Sequence, residues 1–113
     1  MEPRVKTRIW VQAFLRRLEI DGYMAAVLAR GDEDAGAVLI KVNCFGAGCR
    51  VYTQVRDETG RLVWLCGTGD TPVPEGDADV YIGRQRTYDA DLWVVDVEDP
   101  KGLYNIDGPV LSG

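Results

Sequence analysis

Near its C-terminal end the chain carries Leu92-Trp93-Val94-Val95-Asp96-Val97-Glu98, a run of strong strand formers interrupted by two carboxylates. Such a run has to be laid into a sheet. Strand alternation puts Trp93, Val95 and Val97 on one side, read as the core face. Asp96 and Glu98 fall together on the other side, with Cβ atoms roughly 7 Å apart by strand geometry. Just upstream lie Arg84, Arg86, Asp89 and Asp91. A solvated turn followed by a core strand needs fewer charges than this. Some are therefore expected to pair within the fold or across an interface.

The remaining pattern places this strand last in an α+β domain. Residues 4–20 read as an amphipathic helix with Trp10, Val11, Phe14, Leu15 and Leu18 on one face, and Asp21-Gly22 ends it. Residues 23–30 and 36–43 read as an antiparallel pair joined by the polar turn Arg30 to Gly36. Residues 50–56 and 61–66 form a hairpin across Asp57-Glu58-Thr59-Gly60. A second helix runs from about Asp77 to Tyr88, with Ala78, Tyr81, Ile82, Gln85 and Tyr88 near one stripe. The order is α-β-β-β-β-α-β, and the expected arrangement is a mostly antiparallel sheet with two helices packed on one face. The 113 residues suit a single domain spanning 1–113. Its tail, about 100–113, is expected to be loosely held unless a partner or the sheet edge captures Leu103-Tyr104 and Ile106.

Composition excludes more chemistry than it suggests. Histidine is absent, which removes the usual general base, the commonest zinc ligand and the Ser–His and Cys–His nucleophile pairs. Three cysteines, Cys44, Cys49 and Cys66, fall short of a structural zinc set and are expected as free thiols. The triplet Asp32-Glu33-Asp34 lacks the alternating carboxylates of a calcium loop and reads as turn chemistry. The loop Cys44 to Cys49 contains glycines, but no Gly-Lys-Ser/Thr follows it, so it is not a phosphate loop. No cofactor and no metal are expected. No apolar stretch approaches a membrane span and no secretory leader is recognisable, so the expected location is the cytoplasm, away from membrane.

The net charge of −5 argues against a nucleic-acid partner. It is unevenly spread: residues 1–17 sum to +4 and residues 70–113 to −7. The two ends can attract each other within one chain or between two.

Three stretches carry a family resemblance. They are Trp10-Val11-Gln12-Ala13-Phe14-Leu15-Arg16-Arg17, Arg30-Gly31-Asp32 with Ala35-Gly36-Ala37-Val38, and the ending Arg84 through Asp99. With these the chain resembles the family known as domain of unknown function 1491, short proteins found mainly in alphaproteobacteria. The resemblance implies a stand-alone bacterial domain. It brings no activity, cofactor or catalytic residue. The pair Cys44/Cys49 lies outside the resembling pattern.

The site candidates are accordingly Arg84, Arg86, Asp89 and Asp91, with Arg16 or Arg17 and the aromatic Trp93. Arginine forks match carboxylates, so a salt-bridge network tying helix to strand is the preferred reading. The alternative is a small-anion pocket or enzyme built on the same arginines. The pair Asp96/Glu98 could act as acid and base, but nothing supplies a pocket, and an exposed strand end is preferred. Tyr52, Trp64, Tyr81, Tyr88 and Trp93 suit a protein interface better than base stacking. Without His, a metal set or an activated nucleophile, the function leans away from catalysis. The expectation is a noncatalytic interaction or regulatory module that self-associates as a homodimer, with another protein as the second candidate partner.

Overall fold

A computed structural model of the chain describes residues 5–111. It is an α+β fold whose elements run α1 (Thr7–Ile20), β1 (Met24–Ala29), β2 (Val38–Asn43), β3 (Cys49–Arg56), β4 (Leu62–Cys66), α2 (Glu75–Tyr88), β5 (Trp93–Glu98) and β6 (Val110–Leu111). The six strands form one sheet in the order β1-β5-β2-β3-β4-β6. The β2–β5 and β4–β6 pairs are parallel and the other three antiparallel.

The centre of the sheet follows from the apolar character of β2 and β5. Val38, Ile40, Trp93, Val95 and Val97 are buried in one core, and Leu39, Leu92 and Val94 in another. Alternation makes these two cores the two faces of the sheet. A strand buried on both faces belongs in the middle of a sheet with cover on each side. Hence α1 lies on one face, with Val11 and Leu18 in the first core. α2 lies on the other, with Ala78 and Ile82 in the second. This corrects the expectation of two helices on one face, because one helix layer leaves half of these side chains in water.

The same burial corrects the first strand pairing. β1 and β2 are not neighbours; β5 sits between them, antiparallel to β1 and parallel to β2. β1 alternates exposed and half-buried residues, as an edge strand does, while every residue of β2 is buried. The hairpin of β3 and β4 forms across the expected turn.

The helix ends show how the loops are fastened. The expected start at Arg4 lies outside the described residues. The helix begins at Thr7, after Lys6 in an extended conformation with no side-chain cap. The Asp34 and Glu33 carbonyls accept the Thr7 and Arg8 amides instead, at 3.2 and 2.9 Å. The acidic loop is thus the cap of α1. Its own turn is closed by Asp32 Oδ2, which accepts the Asp34 and Ala35 amides. At the other end Gly22, at φ 89°, lets the Tyr23 amide donate to the Leu18 carbonyl. In α2 the expected stripe holds except at Tyr88, the last residue of the helix, which is exposed.

The segment 100–111 is fastened to the α1 face. Asp99, buried, accepts the Leu103 and Tyr104 amides, both at 3.0 Å. Further on, Trp64 donates its ring N–H to the Asp107 carbonyl and its amide to Pro109. Ser112 and Gly113 of the expected tail lie outside the described residues.

Candidate functional site

β1 stands first in the sheet order, so one of its two edges has no strand beside it among the described residues. Its sequence, Met-Ala-Ala-Val-Leu-Ala, contains no charge and no proline. Natural edge strands are commonly blunted by lysine, proline or a bulge. Here the only such device is a register shift between Val27 and Ala29. Inward-facing Ala25 and Val27 pack on the α1-face core. Met24 is 72% exposed and Leu28 is 56% exposed, with Ala26 exposed between them. Ile20, just upstream, is also exposed. The result is an open hydrogen-bonding edge with an apolar fringe.

The position of α2 keeps that edge uncovered. α2 packs across β2 and β3 rather than β1, and a buried ion cluster fixes it there. Lys41 faces α2 with its side chain 5% exposed. Its ammonium donates to Glu75 Oε2 at 2.7 Å and Asp79 Oδ1 at 2.8 Å. The two carboxylates lie four residues apart on one helix face, each 56% exposed. Asn43 adds a bond to Glu75 at 3.1 Å. Burial alone would lower the Lys41 pKa. Hydrogen bonds to Asp79 and Glu75, together with their charges, outweigh it and raise the value, so Lys41 stays cationic.

Asp96 is the loose member of this neighbourhood. It stands beside Lys41 in the parallel β2–β5 ladder, yet its Oδ1 is buried without a hydrogen-bond partner. Burial raises its pKa; Lys41 opposes this, while Glu98, Glu75 and Asp79 add to it. Asp96 and Glu98 are half-buried. This corrects the reading of an exposed strand end, because β5 is central and flanked by strands on both sides. Among the described residues no group of three or more Cys, Asp or Glu is placed to hold a metal ion.

The candidates from sequence are dispersed. Arg84, Arg86, Asp89 and Asp91 are exposed, and none makes a salt bridge among the described residues. The expected helix-to-strand network is therefore not formed. Asp89 Oδ1 instead accepts the Asp91 amide at 2.9 Å, closing the turn into β5. Neither arginine lines any of three cavities of about 680, 400 and 170 Å³ among the described residues. Arg16 is exposed on α1, and Arg17 pairs with Asp21 at 3.1 Å. Trp93 is 2% exposed and belongs to the core, not to an interface. Its ring N–H donates to the Asp32 carbonyl at 2.8 Å and Arg30 lies over the ring.

The three cysteines are free thiols. Cys44 packs on the α1-face core and Cys49 in the α2-face core, so they stand on opposite sides of the sheet. Burial pushes both thiols above the usual range, which makes them poor nucleophiles at neutral pH. Sequence reasoning missed Lys41, Asn43, Glu75 and Asp79. The usable signal was one lysine inside Val38-Leu39-Ile40-Lys41-Val42, facing a helix with carboxylates at i and i+4.

Residues 5–107 match the model of a family described as protein of unknown function (DUF1491). The crystal structure of a DUF1491 family protein from Caulobacter crescentus superposes with a TM-score of 0.83 at 35% identity, covering 96% of this chain and 100% of that one. An NMR structure of a family protein from the same organism gives 0.82 at 36% identity, covering 98% and 100%. A solution structure of an A. tumefaciens protein gives 0.72 at 25% identity, covering 86% and 87%. No curated protein matches the chain.

Proposed function

Because the chain belongs to the DUF1491 family, whose description names no activity, we propose from its own surface that it is a noncatalytic interaction module that pairs with a second copy of itself through β1. One observation carries this reading: the open edge of β1 is uncharged and fringed by exposed Met24, Ala26 and Leu28. An antiparallel β1–β1 pairing about a two-fold axis is self-complementary. It joins two sheets into one and satisfies the free backbone groups of both edges. Acidic Asp96 and Glu98 do not oppose it. In the pair, the two β5 strands lie three strand spacings apart, about 14 Å.

The charge distribution supports the same reading. Among the described residues no ion pair joins α1 to residues 70–111. The basic first helix and the acidic C-terminal third are thus not neutralised against each other within one chain.

Sedimentation velocity over a micromolar to submillimolar series tests the proposal. The expected result is a concentration-dependent shift to twice the monomer mass. The double variant Met24→Lys/Leu28→Lys, changed only at exposed positions, is expected to remain monomeric with an unchanged melting temperature. A monomer at every concentration would overturn the proposal, as would a double variant that associates like the parent.

A further inference from the structure

The other half of the α1 face carries a feature unrelated to the β1 edge. The strap formed by residues 99–111 is anchored at one end by the Asp99 turn and at the other by Trp64 and β6. Between these anchors it rests on the α1-face core through Tyr104 and Ile106. A cavity of about 400 Å³ remains beneath it. Val42, Ile106 and Val110 are among its apolar lining residues, and Arg50, Tyr52 and Tyr104 among its polar ones. A smaller hollow of about 170 Å³ shares Arg50, Tyr52 and Val110 and runs on towards Cys66 and Asp70.

Three of the polar side chains here, Arg50, Tyr52 and Tyr104, are uncommitted among the described residues. Arg50 lies directly across the ladder from Val42 and makes no salt bridge among the described residues. Neither tyrosine hydroxyl has a side-chain hydrogen-bond partner among them, whereas the hydroxyl of Tyr81 reaches Thr53 at 3.2 Å. The Tyr104 ring is held edge-on against Tyr23 at 5.3 Å. Burial pushes Tyr104 up to about 12, so its hydroxyl keeps its proton and can donate at neutral pH. The carboxylate in the wall, Asp99, is already engaged. It accepts the Leu103 and Tyr104 amides and the Cys44 thiol at 3.7 Å. Asp70 lines only the smaller hollow, together with Arg50, and makes no salt bridge to it. Among the cavity's lining residues Arg50 is the one cation, and its guanidinium pairs with neither Asp99 nor Asp70.

We propose that this cavity is a binding site for a small amphipathic anion, an aromatic or aliphatic body carrying one carboxylate, sulfonate or phosphate group. The anionic group sits against Arg50, with the tyrosine hydroxyls as additional donors, and the body fills the space between Val42, Ile106 and Val110. The volume lies within the usual range for small-molecule sites, as does the pattern of apolar walls with a few convergent polar groups. A cation is repelled by Arg50. A neutral apolar molecule fills the space but leaves the guanidinium without an anion. The dimer reading is independent, since no residue of β1 lines the cavity.

The probe is 1-anilinonaphthalene-8-sulfonate, with N-phenyl-1-naphthylamine as its uncharged counterpart. Titration into the full chain is followed by fluorescence and by amide chemical shifts. The expected result is saturable binding to one site, with shifts confined to residues 42–52, 71–73 and 99–110. Arg50→Gln, at an exposed position, is expected to weaken sulfonate binding about tenfold, the size of one charge-assisted bond. Its effect on the uncharged probe is expected to stay within about twofold, as no such bond is lost. Equal weakening of both probes, shifts outside these segments, or the absence of saturable binding would overturn the assignment. Repeating the titration on Met24→Lys/Leu28→Lys separates it from self-association, and binding is expected to persist there.

Discussion

Neutralising both acidic partners of Lys41, as Glu75→Gln with Asp79→Asn, tests what holds α2 to the sheet. The consequences for the two sides differ because their burial differs. The Lys41 ammonium is 5% exposed and loses both counter-charges, now 2.7 and 2.8 Å away, keeping at most neutral amide oxygens as acceptors. Stranding one member of a buried pair costs about 3–5 kcal/mol. The lower figure applies here, because Asp96 remains beside Lys41 in the ladder. Glu75 also lies in the first turn of α2, where loss of its charge removes about 0.5 kcal/mol of helix-dipole stabilisation. The double variant should therefore lose about 3–4 kcal/mol. At a urea slope of about 2 kcal/mol/M this moves the unfolding midpoint down by about 1.5–2 M. Asp77→Asn is the control: it shares the first turn but does not touch Lys41, so it should cost only about 0.5 kcal/mol. Lys41→Met should stay within about 1 kcal/mol of the parent, since both carboxylates are 56% exposed and can turn to water. Urea titrations of the four proteins decide the matter. If the double variant matches Asp77→Asn, or Lys41→Met loses as much as the double variant, the account of α2 docking is wrong.

Asp96→Asn should stabilise the fold at pH 7–8, because burial holds this carboxyl's pKa above its unfolded value and its Oδ1 has no partner. A group raised in this way contributes its stability below the unfolded pKa and loses it as pH rises through the folded one. The advantage of the variant should thus shrink as pH falls, and melting curves with a gap that is absent or constant with pH would refute this. Trp93→Ala should cost about 3–5 kcal/mol in urea titration, since it empties a core site and drops the bond to Asp32, and a loss under about 1 kcal/mol would contradict its burial. Gly36→Ala should cost about 1–3 kcal/mol, because an added Cβ runs into the Asp91 carbonyl oxygen. Gly46→Ala, with nothing within 4 Å, should leave the melting temperature nearly unchanged in the same assay.

Local pattern carried much of the fold. The stripe Val11, Leu18 and its half-buried neighbours, the Asp57–Gly60 hairpin and the apolar face of Trp93, Val95 and Val97 are all short-range features that alternation or helical period exposes. Sheet order was not legible, since it depends on which strands are buried on both faces. Leu39 and Val94 carry that information, but a run such as Val38-Leu39-Ile40 looks alike whether it lies at a sheet's centre or in a hairpin. The misplaced second helix follows from the same ambiguity. At the candidate site, clustering in sequence misled. Arg84, Arg86, Asp89 and Asp91 are close along the chain but stay in water, where exposed pairs gain little. Lys41 finds Glu75 and Asp79 across more than thirty residues, a meeting set by β2 lying under α2. The resembling stretch Arg30-Gly31-Asp32 with Ala35-Gly36 has a physical basis in the structure. Both glycines press against the Asp91 carbonyl, which accepts the Asp32 amide at 3.0 Å.

The insertion of β5 between β1 and β2 also dictates an order of events in folding. β1 and β2 are synthesised early, yet the strand that joins them is Trp93–Glu98. Until that segment has left the ribosome, only the helices and the β2–β3–β4 meander can form from local contacts. A sheet completed by its most distant strand has high contact order and assembles slowly. Throughout that interval β1 has no neighbour on either side, a state in which unpaired strands are prone to associate. Its apolar sequence therefore bears on the yield of folded chain as well as on the surface that the finished molecule presents.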